Sequence, residues 1–478
     1  MSVLLRAISS HPPQKIALIG DKESYSYGDF LSVIEERAVQ LKNVRVLAIA
    51  LDNGPEWLLW DLASVLACVP CVPIPPFFTQ EQTAHALQMA GVSHVVSSDG
   101  LSCTGHFAPS DLPKGTQKIT FTSGTSGNPK GVCLSQKGME DVARSLSEML
   151  EPNYARAHLA ALPLAVLLEN VAGVYASFLA GGTVYLPSLT TIGFSEAFAP
   201  DFPKLAAYMK KHKIASSIFV PEMLRGLMAQ KLRLPDLEFL AVGGAKISPA
   251  LIETARHMGL PVYEGYGLSE CASVVSLNMP GRDKTGSAGQ ALPHIKLSEK
   301  NGEIVIENSA FLGYVGTSHN GAFKTGDLGY IDEEGFVHIN GRSKNILITS
   351  YGRNISPEWA EAALLAQPEI MQAVVYGEAQ AFLSALIVPS APGADIEGAL
   401  ESANARLPSY ARIEHFHLAA PFTPLDGTLT GTGRVRRESI FKKYQILMQK
   451  EKNDEFLQET GERDGKRAIC ADECTTTA

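Results

Sequence analysis

The sequence predicts an α/β protein with a large N-terminal part built on doubly wound sheets and a smaller α+β part at the C-terminal end. Three observations carry this. Residues 1–117 alternate apolar strand runs (44–51, 71–74) with stretches apolar at helical spacing (35–41, 57–67), and strands separated by helices imply a parallel sheet covered on both faces. A short strand at 118–121 then opens into a loop of glycines and hydroxyls, T-S-G-T-S-G-N-P-K-G. Finally, 478 residues exceed what one hydrophobic core organises.

Composition narrows the class. Apolar content of 45% and charged content of 19% are ordinary for a soluble enzyme. A net charge of −9 with no basic stripe argues against nucleic acid as the main partner. Seven cysteines, scattered and odd in number, fit a reducing cytoplasmic setting. Cys68 and Cys71 have C-x-x-C spacing inside an apolar run, and they read as buried thiols rather than metal ligands. The first residues lack a secretory pattern. The apolar run 171–187 is split by Gly181-Gly182 and follows Glu169-Asn170. It therefore reads as a buried helix, a glycine stop and a short strand rather than a membrane span.

The loop after residue 121 suits phosphate. Gly124 and Gly127 let backbone N–H groups converge on one point. The Thr122, Ser123, Thr125 and Ser126 hydroxyls add donors, and Lys130 adds charge. The Walker spacing is absent, and on composition alone a solvated Ser/Thr/Gly loop fits equally well. Further along, residues 136–150 read as an amphipathic helix and 217–221 as a strand entering a helix. Residues 239–245 form a strand ending at Gly243-Gly244, and V-Y-E-G-Y-G-L-S-E-C-A-S spans 262–273. A β-rich stretch covers 286–306, with F-K-T-G-D-L-G at 323–329 and G-R-S-K-N at 341–345. The smaller part shows strands at 346–348, 371–376 and 381–388 and a helix at 358–365. It ends in F-T-P-L-D-G-T-L-T-G-T-G-R-V-R-R at 422–437, followed by a polar tail.

In this order, these motifs resemble the signatures of adenylate-forming enzymes: acyl-CoA synthetases, firefly-type luciferases and adenylation domains of peptide synthetases. The segment 160–170, which resembles the one lining the acyl pocket, and the ending at 422–437 resemble the long-chain fatty acyl members most. The resemblance implies a domain at 1–341, a mobile C-terminal domain at 342–448 with its hinge near 342–344, and a disordered tail at 449–478. It implies ATP-dependent conversion of a carboxylic acid, a fatty acid by the long-chain likeness, to an acyl-adenylate. Transfer to a thiol follows, either coenzyme A or the phosphopantetheine of an acyl carrier protein. Catalytic roles fall on Thr122, Ser269, Glu270, Lys344 and Arg434. The nucleotide site would comprise Thr122 to Gly127, with Ser123, Gly124, Thr125 and Ser126, then Lys130, Gly244, Ala245, Glu264, Gly265, Tyr266, Gly267, Ser269, Asp327 and Arg342. In that site Tyr266 lies against adenine and Asp327, at the end of a turn, takes both ribose hydroxyls. Mg²⁺ would be held by Thr125 and Glu270. The acyl pocket would be lined by Leu164, Val166, Gly243, Gly244 and Gly267.

Two departures stand out. Val166 occupies a position where the long-chain pattern has His. Arg434 occupies the position of the adenylation Lys, and a planar guanidinium does not replace an ammonium conservatively. These departures motivate the alternative of a degenerate nucleotide-binding protein.

Overall fold

Apolar runs bounded by turn residues become two large sheets. The structure, a computed structural model, describes residues 2–105, 108, 110–122, 129–150, 152–194, 200–423, 426–429 and 434–448, apart from the Pro152 side chain. The chain divides into two units, one comprising residues up to 245 with 252–325 and 330–338, the other comprising 246–251, 326–329 and 339 onward.

In the first unit, the larger sheet orders its strands Gln290–Ala291, Ser273–Leu277, Val262–Leu268, Phe239–Val242, Ser216–Phe219, His158–Leu159, Val184–Tyr185, Ile16–Ile19 and Ser24–Ser26. Its centre is parallel, from Ile16–Ile19 across to Val262–Leu268, as the alternating pattern predicts. Antiparallel strands close both edges. The second sheet pairs Cys71–Pro73, Leu47–Ile49 and His94–Ser97 in parallel. It then continues through Thr116–Thr122, Lys130–Ser135 and Phe311–Tyr314. The strand expected over 44–51 is only Leu47–Ile49.

Helix Tyr27–Gln40 begins earlier than the 35–41 stretch suggests, because Ser26 caps it by accepting from the Asp29 N–H. Helix Pro55–Leu66 and helix Gln136–Met149 fall where the apolar spacing places them. Cys71 is buried, but Cys68 is exposed in a left-handed turn (φ 54°), so the pair is not two buried thiols. Among the described residues, no helix is long and apolar enough to cross a membrane. The run 171–187 is a π-helix, Leu168–Tyr175, a short α-helix, Ala176–Leu179, and a strand, Val184–Tyr185.

The second unit holds a three-stranded sheet. Ile370–Tyr376 pairs antiparallel with Leu383–Pro389, and Ile413–Leu418 runs parallel beside it. Side chains alternate faces with period two. Ala373 and Val375 pack with Ala360, Leu364, Ala399 and Ala403 of helices Pro357–Leu364 and Ile396–Asn404. Val374 and Tyr376 pack with Phe422, Ile440 and Tyr444 on the other face. Strand Ile413–Leu418 and helix Ile396–Asn404 have no counterpart in the sequence reading.

Candidate nucleotide and acyl site

In the first unit, strands Thr116–Thr122 and Lys130–Ser135 form a hairpin whose last register pair is Thr122 opposite Lys130. The candidate phosphate loop lies between these two strands in the sequence. Ser123, Gly124, Thr125, Ser126 and Gly127 lie outside the described residues. What is described is how the flanking strands are held. Pro129 O accepts from the His85 ring at 3.1 Å. Gly131 is packed between its two neighbours: a Cβ there would lie 2.8 Å from Val315 Cγ2, just past the next strand, and 3.1 Å from Ile119 Cγ2 of the preceding one.

That next strand, Phe311–Tyr314, brings in a residue the motifs did not single out. Lys130 Nζ stands 5.5 Å from the centre of the Tyr314 ring, and the Tyr314 hydroxyl donates to Glu270 Oε1 at 3.0 Å. The lysine of the first motif and the acid of the second thus meet at one tyrosine. The signal in the sequence, F-L-G-Y between the β-rich stretch and F-K-T-G-D-L-G, carries no chemistry of its own.

The Tyr-Gly-Leu-Ser-Glu string runs along strand Val262–Leu268 into a 3-10 turn, Ser269–Cys271. Glu264, Gly265, Tyr266 and Gly267 are half-buried, leaving an open face. Gly267 cannot carry a side chain, since its Cβ would sit 1.8 Å from the Ser273 carbonyl oxygen. The turn ends with Ala272 at φ 58° and Ser273 at φ 112°, backbone that non-glycine residues adopt only at a cost. On the neighbouring strand, Gly243 lies against Gly265, with 3.1 Å from a built Cβ to its oxygen, and Gly244 turns at φ 90°. Gly243, Gly244 and Gly265 thus share one shelf, and Ala245 beyond it is exposed.

The acyl-segment candidates follow strand His158–Leu159. Leu164 is buried and Val166 is half-buried. The loop is clamped by Asn53, whose Nδ2 donates to Leu162 O at 2.8 Å and whose Oδ1 accepts from Leu164 N at 2.8 Å. Glu169 accepts from Leu162 N at 3.0 Å, and its other oxygen lies 2.9 Å from His158 Nε2. His158 Nδ1 in turn meets Ser216 Oγ at 3.0 Å. A Cβ on Gly173 would strike Glu169 Oε1 at 2.2 Å, so this glycine in the π-helix makes room for the buried acid.

Beside it lies a second buried cluster. Lys118 and Asp61 are both fully buried and 2.8 Å apart. Asn170 Nδ2 and the Tyr175 hydroxyl donate to Asp61 Oδ2 at 3.0 and 2.6 Å, and Lys118 Nζ donates to Asn170 Oδ1. The acid beside Tyr175, together with burial, holds that hydroxyl protonated well above its ordinary range. This ties the strand leading to Thr122 to helix Pro55–Leu66 and to the π-helix. Motif reading missed it, although a lone Lys and a lone Asp in apolar runs were visible.

In the second unit, Asp327 is buried and pairs with Arg342, Oδ1 to Nε 2.7 Å. Asp327 lies within strand Phe323–Ile331 rather than at the end of a turn. Lys344 is exposed in the 3-10 turn Ser343–Asn345. Asn345 Nδ2 donates to Glu358 Oε1 at 2.5 Å, and Arg437 Nη2 lies 3.5 Å from that oxygen. Arg437 also meets Glu361 Oε2 at 2.7 Å and donates to Val375 O at 3.2 Å. Burial raises the Glu361 carboxyl above its ordinary value against the pull of Arg437. Arg437 therefore anchors the segment that carries Arg434, three residues upstream and exposed.

The described residues thus place an open glycine-bearing strand beside a lysine–tyrosine–glutamate cluster on an α/β sheet. The chain matches the AMP-binding enzyme family over residues 5–118 and 109–322, and the AMP-binding enzyme C-terminal domain over 344–451. It belongs to that family, and the adenylate-forming resemblance stands. A 2-succinylbenzoate–CoA ligase of Bacillus velezensis is 28% identical over 414 residues, covering 76% of this chain and 82% of the relative. The long-chain-fatty-acid–CoA ligase FadD15 of Mycobacterium bovis is 34% identical over 238 residues, 42% of this chain and 40% of the relative. Among solved structures, the O-succinylbenzoate coenzyme A synthetase (MenE) of Bacillus subtilis, in complex with ATP and magnesium ion, aligns at TM-score 0.73. It is 23% identical and covers 89% of this chain and 98% of that one, a likeness of fold.

Proposed function

We propose that the protein is an AMP-forming acid–thiol ligase that uses ATP and delivers its acyl group to coenzyme A. Membership of the AMP-binding enzyme family and relatives that are acid–CoA ligases support this reading. The observation that carries it is the meeting of Lys130, Tyr314 and Glu270 next to the open Tyr-Gly-Leu-Ser-Glu strand.

The chemical need is to join two anions. A carboxylate oxygen attacks the α-phosphorus of ATP, the bond to pyrophosphate breaks, and an acyl-adenylate forms. A thiol sulfur then attacks the acyl carbonyl carbon, loses its proton, and AMP leaves. Lys130 and Arg434 supply positive charge toward the phosphates, in the manner of preorganised electrostatic stabilisation. Glu270, half-buried with one oxygen held by Tyr314, is a fitting ligand for a hard cation that also takes substrate phosphates. Mg²⁺ bound there would offset phosphate charge. Asp327 accepts from the ribose hydroxyls, with Arg342 fixing its carboxylate. Ser269 donates to the α-phosphate or carboxylate, and the Gly243–Gly244 shelf admits a flat adenine and the acyl group.

The acid we assign is an apolar one, in keeping with buried Leu164 and the apolar Val166. ATP–pyrophosphate exchange across a panel of long-chain fatty acids and 2-succinylbenzoate, followed by thioester assays with coenzyme A and with a holo carrier protein, tests this. Exchange with an apolar acid and thioester formation with coenzyme A are expected. Nucleotide binding without exchange for any acid would instead establish a degenerate nucleotide-binding protein.

A further inference from the structure

We propose that Tyr314 is a positioning residue for the metal–nucleotide step: its hydroxyl fixes the Glu270 carboxylate while its ring face holds the Lys130 ammonium. The inference rests on the reading that Glu270 holds Mg²⁺ and that Lys130 faces phosphate.

The backbone places Tyr314 firmly. Its strand pairs with the strand that begins at Lys130, with Tyr314 opposite Val132, and Val315 N donates to Gly131 O at 2.9 Å. The ring packs edge-on against Phe311, centroids 4.9 Å apart. A long glutamate side chain loses rotamer freedom when held in one geometry, and a hydrogen bond to a charged group is of the size needed to offset that. Only one of the two carboxylate oxygens is engaged by the hydroxyl, so the hydrogen bond orients the carboxylate without closing it to a cation.

The ring serves a second purpose. A lysine facing phosphates loses effectiveness if it folds onto a nearby carboxylate and neutralises it. An aromatic face attracts an ammonium without cancelling its charge. With Lys130 over its ring and Glu270 at its hydroxyl, Tyr314 keeps the cation for phosphate and the anion for metal.

Two variants of the full chain separate these contributions. Tyr314→Phe keeps the ring and removes the donor, whereas Tyr314→Leu removes both. Mn²⁺ binding in the presence of a non-hydrolysable ATP analogue, followed by electron paramagnetic resonance, reads the metal without turnover. Calorimetry of the same analogue in EDTA reads nucleotide affinity without metal. We expect Tyr314→Phe to weaken Mn²⁺ binding about tenfold, the size of one hydrogen bond to a charged group, with metal-free nucleotide affinity unchanged. Tyr314→Leu should weaken metal-free nucleotide binding as well, about threefold. Thermal melts within a few degrees of wild type confirm folding of Tyr314→Phe. Wild-type Mn²⁺ affinity in Tyr314→Phe, with loss in Glu270→Gln, overturns the role of Tyr314 and leaves the site reading standing. Unchanged Mn²⁺ binding in Glu270→Gln overturns the site reading, and the Tyr314 role with it.

Discussion

Removing Lys118 should destabilise the first unit sharply, and removing its partner as well should restore much of the loss. Both side chains are fully buried, with Nζ 2.8 Å from Asp61 Oδ1. At an effective dielectric of about 20, opposite charges at that distance attract by about 6 kcal/mol, and desolvation consumes most of it. Lys118→Met leaves the Asp61 carboxylate buried with only Asn170 and Tyr175 as donors. Breaking one side of such a pair costs about 3–5 kcal/mol. In Lys118→Met/Asp61→Asn no uncompensated charge remains, and the double variant should recover to within about 2 kcal/mol of wild type. Urea unfolding followed by tryptophan fluorescence suits the measurement, because Trp57 is buried with its ring centre 5.9 Å from Lys118 Nζ. A loss under about 1 kcal/mol in Lys118→Met, or single losses that simply add in the double variant, would refute the reasoning.

Five further variants have expected outcomes. Gly267→Ala forces a Cβ to within 1.8 Å of Ser273 O and should cost about 3 kcal/mol or more with loss of nucleotide binding. Gly265→Ala, whose Cβ would meet the flexible Leu277 Cδ1 at 3.0 Å and Ser276 O at 3.3 Å, should be milder by thermal melt. Lys344→Pro fixes φ near about −65° at the proposed hinge. It should spare adenylation more than thioester formation, and equal loss of both half-reactions would count against a pivot there. Arg434→Lys should speed pyrophosphate exchange and leave transfer from supplied acyl-adenylate nearly unchanged; slower exchange would show a site built around the guanidinium. The His294 ring is held below the ordinary imidazole value, chiefly by burial, and its Nδ1 meets Ser145 Oγ at 2.7 Å. Because the folded protein resists taking that proton, stability should be intact above about pH 6.5 and fall as pH drops below it. His294→Gln should flatten that part of a Tm-versus-pH profile, and an unaltered slope would place the titration elsewhere.

Local rules carried the reading a long way. Period and punctuation located helices Pro55–Leu66, Gln136–Met149 and Pro221–Ala229 and the strand ending at Gly243, because an amphipathic helix or a buried strand needs little more than its own spacing. Strand Leu47–Ile49 came out shorter than its apolar run, since Val44 and Val46 are buried without lying in the ladder. Asp327 was expected at a turn because Thr-Gly-Asp reads as one, but its backbone continues as strand.

What the amino-acid sequence determined by itself is chemistry carried within single motifs. The glycines and hydroxyls of the loop before Lys130, the Tyr-Gly-Leu-Ser-Glu string and the arginine at 434 are each defined within a few residues. What only the tertiary structure decided is which of these side chains meet, and through what. Tyr314 reaches Glu270 across 44 positions of sequence, Lys118 reaches Asp61 and Asn170, and Arg437 reaches Glu361 across 76. The physical reason is that a buried charge or donor must find a partner wherever the fold supplies one. That partner is chosen by sheet order and helix packing, which join residues distant along the chain and leave no local mark in the sequence.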